Sequence, residues 1–410
     1  MRTERPLPYL FVLLGLPTVA MLATAVFTLG VDPFGLYRVG PAREGFNAQK
    51  PRQKGHERMV RAADLVRLQP DALILGTSRA QVGLDPEASA WEGVARRPAN
   101  AAFSDGSPYE ALRYLQHTDA LSPVKTVVFG ADYLSFIGNS RFTSDFSETR
   151  LSVSLKKEAQ WFYRLDDVPS ALLSLDTLRL SRSTVLEQET PSYFFDTGRR
   201  RPAFMEARID EQGGARGAFV WSELDYARSY VCAHPQRLAM HLADFDALVS
   251  YCQERKIRLV VLWSPSHVRS LALLDEAGLG AEQERFKQAL AERARGDAFE
   301  LWEFSGADPR TTAEEVPLPD DKRARTRWYW ESSHYRKELG DVVLARVFGK
   351  PVDQTLAGWG EQVTWMTSQK VQARVSSELA AWKSGHPADV AELKRVLSEA
   401  RQESHCEEAP

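Results

Sequence analysis

A serine that ends a strand-like run and a carboxylate–imidazole pair late in the chain are the residues best suited to catalysis. Ser78 closes the apolar run ALILGTS at residues 72–78, and Glu331 and His334 stand three residues apart in WESSHY. On a helical turn that spacing places both side chains on one face. A carboxylate that accepts from one imidazole nitrogen fixes the tautomer and leaves the other nitrogen to deprotonate a serine. These residues indicate nucleophilic catalysis, with Ser78 as a serine activated by a base. The alternative role for Ser78 is to cap the next helix.

Strand-like runs alternate with helical patterns along the chain, which predicts an α/β domain with a mostly parallel sheet. The apolar runs lie at residues 72–78, 125–133, 257–265 and 299–306, and a weaker one precedes Asn100. Runs this continuous are typical of strands covered on both faces. Ligands bind beyond the carboxyl ends of such strands, and Ser78 follows the first run. We therefore expect Ser78, Asn100, Asp132, His267 and His334 to meet at one edge of the sheet.

Two short blocks of the chain resemble those of the SGNH (GDSL-like) hydrolase superfamily. Its serine block, Gly-Asp-Ser, follows the first strand, and its Asp-x-x-His block lies near the C-terminus. Here ILGTSR and ESSH stand in their places, with Thr77 and Glu331 where the family has aspartates. The resemblance covers roughly residues 68–350. The whole pattern is similar to membrane-anchored bacterial SGNH-like proteins of envelope polysaccharide systems.

The resemblance implies a flavodoxin-like three-layer α/β/α fold in which Ser78, His334 and Glu331 are catalytic. It also implies an oxyanion hole, whose donors each matter by about 2.7–4 kcal/mol of barrier. Asn100 and Gly106, in NAAFSDG, match the second block of the family. The third block departs from it.

Where the family has Gly-x-Asn-Asp, this chain has Gly130, Ala131 and Asp132. An ionised Asp132 would repel an oxyanion. Either Asn100 replaces the missing donor, or the site is altered or inactive.

Three further features carry weaker predictions. Arg79, beside the serine, either binds an anionic or carbonyl group or pairs with a structural acid. His267 follows the third run and either contacts substrate or begins the next loop. A basic stretch at residues 322–327 is either a solvated loop or a contact for an anionic polymer or lipid headgroup.

Composition excludes several classes of protein. Apolar residues make up 43% and charged residues 26% of the 410 residues, which is typical of a globular chain. The net charge of −3 gives no basic excess for a nucleic-acid partner. Three scattered cysteines do not suit a structural zinc site or a disulfide scaffold, so we expect no metal and no cofactor.

The N-terminal segment sets the expected compartment. Residues 6–31 carry no charge, and the segment is longer than the stretch of about 20 residues that a membrane-spanning helix needs. Arg2 and Arg5 precede the segment, which keeps the tip in the cytoplasm and exports the rest. We expect a single-pass protein of the bacterial inner membrane with its globular domain in the periplasm. The alternative is a cleaved signal peptide, since residues 23–25 have the small-x-small form.

In an oxidising compartment Cys232 and Cys252, which flank a predicted helix, could form a disulfide. The alternative is two buried thiols. Cys406, in the polar tail, is expected to be unpaired.

The predicted domains follow from these patterns. Residues 1–32 form the cytoplasmic tip and anchor, and residues 33–67 a linker. Residues 68–350 form the SGNH-like domain, with an insertion at about 140–230 that is more typical of a cap or lid than of a sheet. Residues 351–410 form a helical tail, either packed on the domain or partner-binding.

Two functions remain open at this point. The first is a serine esterase or O-acyltransferase that acts on envelope or extracellular carbohydrate, with envelope polysaccharide machinery as its expected partner. The second is a non-catalytic SGNH-like protein that binds polysaccharide or scaffolds such an assembly. The fold does not decide between them, because function belongs to the site.

Overall fold

A computed structural model of the chain describes residues 7–138, 140–156, 158–160 and 167–404. These residues divide into two compact units. One unit comprises residues up to 67 together with 147–195, and the other comprises 68–146 together with the residues from 196 onward.

The described α-helices are α1 Leu7–Val31, α2 Glu57–Leu68, α3 Ser78–Gly83, α4 Pro108–Leu121, α5 Tyr133–Ile137, α6 Val168–Leu173, α7 Leu175–Leu186, α8 Ala203–Glu211, α9 Ala215–Val231, α10 Leu238–Arg255, α11 Val268–Glu276, α12 Gly280–Arg293, α13 Lys337–Val347, α14 Ser368–Gly385 and α15 Pro387–Glu403. The described strands are β1 Ala72–Gly76, β2 Pro98–Asn100, β3 Thr126–Ala131, β4 Arg258–Trp263, β5 Glu300–Glu303 and β6 Glu361–Val363.

One six-stranded sheet organises the second unit, in the order β2-β1-β3-β4-β5-β6. Strands β1 to β5 run parallel, and β6 pairs antiparallel with β5. The register aligns Gly76 with Gly130, so the carboxyl ends of β1 and β3 lie side by side. Both strands are buried along their whole length, as expected of strands covered on both faces. The prediction of an α/β fold with a mostly parallel sheet is confirmed.

The antiparallel strand β6 was not predicted. It holds three residues, of which only Val363 is buried, so its sequence carries no strand-like apolar run. Its backbone pairing with β5 at the sheet edge makes it a strand, and that pairing is a tertiary effect. The C-terminal helices α14 and α15 that follow agree with the predicted helical tail.

The first unit contains the apolar helix α1, which is continuous over 25 residues despite Pro17. Residues 13–31 are long and apolar enough to cross a membrane. More than half of the side-chain surface is exposed at each of seven large apolar residues, namely Leu13, Leu14, Leu16, Val19, Met21, Leu22 and Val26. A helix with this surface is consistent with a membrane anchor or a signal sequence.

The C-terminal end of α1 forms hydrogen bonds within the first unit. Thr28 is fully buried, and its hydroxyl donates to the Leu172 carbonyl at 2.7 Å. The Asp32 carboxylate accepts from the backbone N–H groups of Leu36, Tyr37 and Arg38 at 2.8–3.0 Å, which folds the chain tightly after the helix.

The segment predicted as a linker, residues 33–67, is not a simple linker. It contains most of α2, where Val60 and Leu65 are buried. The stretch ERMVRAADLVRL has the amphipathic spacing of a helix, and that signal was available in the sequence. The predicted insertion also divides: residues 147–195 belong to the first unit, whereas α8 and α9 belong to the unit of the sheet.

Candidate active site

Ser78, His334 and Glu331 form a continuous chain of hydrogen bonds. Ser78 is the first residue of α3, directly beyond the carboxyl end of β1. Its Oγ lies 2.8 Å from Nε2 of His334, and Nδ1 of the same ring contacts Oε1 of Glu331. The predicted nucleophile, base and orienting carboxylate are thus brought together from distant parts of the sequence.

The local turn that carries Glu331 and His334 is held by the Glu331 side chain rather than by a helix. Its Oε1 accepts from the His334 N–H at 2.8 Å, and its Oε2 accepts from the Ser333 N–H at 2.9 Å. The Trp330 N–H donates back to the His334 carbonyl at 2.9 Å. The spacing of three residues brings both side chains together, but through a tight bend.

Glu331 is ionised in this setting. Burial alone would raise the pKa of its carboxyl, but the charge of His334 and hydrogen bonds from His334, Ser222 and Ser333 outweigh burial and lower it to about 2. The carboxylate is 2% exposed, so its charge is directed at the imidazole and not at solvent. Such a group orients the ring and stabilises an imidazolium.

The backbone around Ser78 requires glycine. Gly76 has φ of 129°, and a Cβ there would lie 2.6 Å from the Gly130 carbonyl oxygen. Thr77, not Ser78, is the N-cap of α3, and its hydroxyl accepts from the Arg79 N–H. The capping role considered for Ser78 therefore belongs to Thr77, and the Ser78 hydroxyl faces the imidazole.

Arg79 forms an ion pair with Asp132. Of the two roles predicted for this arginine, the structure therefore supports pairing with a structural acid. Its Nη1 donates to Asp132 at 2.8 Å, and Thr77 donates to the other carboxylate oxygen. Burial opposes the charge on Arg79, but Asp132 more than compensates and raises the pKa of the guanidinium. Arg79 Nε also donates to Ser333 Oγ at 2.8 Å, and Ser333 donates to Tyr226 at 2.7 Å. The charge of Asp132, expected to repel an oxyanion, is balanced by this neighbour.

The residues predicted as oxyanion donors are engaged elsewhere. Asn100 is fully buried at the end of β2, and its amide donates to the carbonyls of Ala80 and Leu84, both at 2.9 Å. The Gly106 N–H donates to the Phe103 carbonyl at 3.2 Å. A Cβ at Gly106 would lie 2.4 Å from the Gly76 carbonyl oxygen, so this glycine serves close packing behind Ser78.

His267 is a structural residue. It is 1% exposed and N-caps α11, with Nδ1 accepting from the Arg269 N–H and Nε2 donating to the Glu314 carbonyl at 2.8 Å. Burial lowers its pKa to about 3. Of its two predicted roles, substrate contact and loop start, the structure supports the second.

The basic stretch does not reach the site either. Arg325 pairs with Asp210 at 2.6 Å and with Glu206 at 3.4 Å. Lys322, Arg323 and Arg325 are absent from the described lining of the cavity beside Ser78, as is Arg327. The solvated-loop interpretation accounts for these contacts.

A cavity of about 340 Å³ lies beside Ser78. Hydroxyl-bearing side chains make up much of its described lining, namely Thr77, Ser78, Ser107, Ser135, Ser140, Thr143, Tyr226 and Ser229. Apolar surface comes from Leu134, Ile137 and Phe142. The charged groups among the described lining residues are the Arg79–Asp132 pair and Asp105.

Two functional contacts escaped the sequence analysis, and both come from α9. Ser222 donates to Oε2 of Glu331, and Tyr226 accepts from Ser333. The two residues are four apart and share one helix face. That spacing of hydroxyls was the available signal, but α9 lay in a segment predicted to be a cap or lid.

The Cys232–Cys252 disulfide, one of the two alternatives for these cysteines, is not formed. Cys252 is a free thiol, 1% exposed, and burial raises its pKa to about 12. Helix α10 directs Cys252 into the core, whereas Cys232 follows α9 and lines the cavity. Cys406 lies outside the described residues. Within the described residues, no cluster of His, Cys, Asp or Glu is suited to hold a metal ion.

Comparison with known proteins assigns no family. No family model matches the chain, and no curated protein or solved structure matches it.

Proposed function

We propose that the chain is a membrane-anchored, SGNH-like serine esterase or O-acyltransferase that acts on ester groups of envelope or extracellular carbohydrate. The observation that carries this proposal is the Ser78–His334–Glu331 hydrogen-bond chain at the carboxyl end of β1, beside a cavity. The strand order β2-β1-β3-β4-β5 supports a flavodoxin-like fold, which has the same order.

The reaction follows from the positions of the three side chains. Ser78 Oγ attacks the ester carbonyl carbon while His334 Nε2 takes the hydroxyl proton, and Glu331 stabilises the resulting imidazolium. Collapse of the tetrahedral intermediate breaks the bond to the sugar oxygen, which receives that proton from His334. The acyl group then leaves Ser78 for water in an esterase or for a second sugar hydroxyl in a transferase. His334 deprotonates the acceptor in this second half.

The cavity lining supports a carbohydrate substrate. Most of its hydroxyl groups donate within the protein, as Ser107 does to the Arg141 carbonyl and Ser135 to the Asp132 carbonyl, and their oxygens can accept hydrogen bonds from a polyhydroxylated ligand. Leu134, Ile137 and Phe142 offer apolar surface for a short acyl group or a sugar face. Helix α1 supports anchoring in a bacterial inner membrane, with the catalytic unit in the periplasm and envelope polysaccharide machinery as partner.

One observation favours the alternative, a non-catalytic protein that binds polysaccharide or scaffolds an assembly. The donors expected from Asn100 and Gly106 are bonded to backbone carbonyls instead. On the catalytic proposal, the N–H of Ser78 at the start of α3 is an oxyanion donor, because the first N–H groups of a helix have no intrahelical acceptor.

Labelling with a fluorophosphonate probe separates the two functions. The detergent-solubilised full chain should be labelled, Ser78→Ala should not, and His334→Ala should react far more slowly because the hydroxyl lacks its base. Ser368→Ala is a matched control, since Ser368 is buried at the start of α14 and its hydroxyl bonds to the Trp365 carbonyl. A folded wild-type chain that resists labelling and binds polysaccharide would instead establish the non-catalytic function.

A further inference from the structure

One face of α9 contacts the turn that carries Glu331 and His334. Ser222 donates to Glu331 Oε2 and lies 3.0 Å from the Ser332 hydroxyl. One turn later, Tyr226 accepts from Ser333, which also accepts from Arg79. The carboxylate oxygen that Ser222 contacts is the one that His334 does not use. Ser222 therefore acts on Glu331 from the side opposite the imidazole.

The residue next to Ser222 is part of a buried ionic cluster. Glu223 is fully buried and accepts two hydrogen bonds from Arg269 of α11, each at 2.7 Å. Arg269 is 1% exposed and also contacts Asp389 and Glu392 of α15. A single guanidinium thus joins α9, α11 and the C-terminal helix.

A second arginine binds the same two carboxylates of α15. Arg216, at the start of α9, donates to Asp389 at 2.8 Å and to Glu392 at 2.6 Å. The apolar face of α15 packs along α9 as well, with Leu393, Leu397 and Ala400 buried. Because α15 contacts α9 through both charges and apolar side chains, it restrains the position of the helix that carries Ser222.

We propose that Ser222 is a positioning residue for the catalytic carboxylate, and that the C-terminal helix α15 holds it in place through the Glu223–Arg269 cluster. The proposal rests on the serine-hydrolase function proposed above. It gives the helical tail a role in the reaction. Without the Ser222 hydroxyl, Oε2 keeps only the Ser333 N–H, and the carboxylate loses one of the contacts that fix its rotation.

Ser222→Ala tests the first part. We expect kcat for an acetyl ester to fall about 10-fold with KM unchanged, because a slightly misdirected base slows the chemical step and leaves substrate binding intact. Titration of active sites by the fluorophosphonate probe should still reach the wild-type stoichiometry. A merely structural role would lower the fraction of competent sites and leave kcat per site unchanged. Ser368→Ala, the same change at a buried serine of α14, should leave both values unchanged.

A double-mutant cycle tests the second part. Asp389→Asn with Glu392→Gln neutralises the α15 end of the cluster at residues that are about one-fifth exposed. This pair should lower kcat less than Ser222→Ala does. Combined with Ser222→Ala, it should add less than its separate effect, because both changes act through the same hydroxyl. Fully additive effects would overturn the link between α15 and Ser222.

The outcomes separate this proposal from the proposed function. If Ser78→Ala abolishes labelling and Ser222→Ala leaves kcat per site at the wild-type value, the hydrolase function stands and the positioning role fails. If the wild-type chain is neither labelled nor active, the function itself fails, and the positioning role fails with it.

Discussion

The Arg79–Asp132 pair offers a prediction opposite to the one that the family pattern suggests. By resemblance, an asparagine in this block would help an oxyanion, so Asp132→Asn should raise activity. In the structure, Asp132 is 5% exposed and its carboxylate binds both Arg79 and Thr77. We expect Asp132→Asn to lower both stability and activity.

The magnitude follows from burial. The two side chains are 13% and 6% exposed, so solvent screens the pair weakly. Removing one partner of a buried pair costs about 3–5 kcal/mol. The amide still accepts a hydrogen bond from Arg79, which offsets about 1 kcal/mol. The free energy of unfolding should therefore fall by about 3 kcal/mol, or roughly 6–12 °C in Tm at about 2–4 °C per kcal/mol.

Activity should fall as well, since Arg79 also holds Ser333 beside His334. We expect about a 10-fold loss in kcat for acetyl-ester hydrolysis, measured with thermal unfolding on the solubilised full chain. Asp275→Asn is the control: Asp275 pairs with Lys383 at the surface and is 42% exposed, so its change should stay within about 1 kcal/mol. An unchanged Tm with a gain in hydrolysis for Asp132→Asn would refute the assignment of Asp132 as the partner of Arg79.

Four further measurements test the site, the pH dependence of stability and the anchor. Glu331→Gln should slow labelling by about 100-fold, because an amide still orients the ring but cannot stabilise the imidazolium. This loss of rate should be smaller than the loss caused by His334→Ala, and labelling as slow as in His334→Ala would contradict the prediction. Because the pKa of Glu331 is about 2 in the folded chain, its ionisation contributes to the free energy of unfolding above about pH 4.5, and this contribution is lost as pH falls toward 2. Unfolding curves of Glu331→Gln measured over this pH range should lack that loss. His267, with its pKa lowered to about 3 in the folded chain, binds a proton more readily when the chain is unfolded. The free energy of unfolding should therefore fall by up to about 1.4 kcal/mol for each pH unit as pH is lowered from about 6.5 to 3, and His267→Gln should flatten that slope. The full chain should sediment with membranes and resist alkaline extraction; N-terminal sequencing that finds residues 1–25 removed would show a signal peptide instead.

The sequence was informative where one residue and its position in the fold were enough. Ser78 follows an apolar strand in a parallel sheet, which directs it to the ligand edge whatever surrounds it. The Glu331–His334 spacing brings two side chains together in any tight turn. Predictions that depended on which atoms remain unpaired were less successful. Asn100 has the right residue type at the right edge, but backbone carbonyls of α3 and the residue after it take both amide hydrogens.

Contacts between distant segments were beyond the reach of sequence reasoning. Asp132 looked unfavourable alone, and nothing in GAD indicates that Arg79 faces it across the strand ends. Likewise, α9 shows little amphipathic pattern, since it meets the site on one face and α15 on another. A helix that is covered on more than one side gives a weak periodic signal. The prediction of a cap or lid for this segment came instead from the interruption of the strand–helix alternation at about residues 140–230.

The environment of Glu331 accounts for a glutamate at the position where the SGNH pattern, which the chain resembles, has an aspartate. An ionised carboxylate offers about four acceptor positions. Here Oε1 accepts from the His334 N–H and Nδ1, and Oε2 accepts from the Ser333 N–H and the Ser222 hydroxyl. A glutamate side chain has one more rotatable bond than an aspartate side chain, and the four donors fix its orientation here. Three of them come from its own turn and one from α9, so the carboxylate reaches full coordination only when α9 is in place.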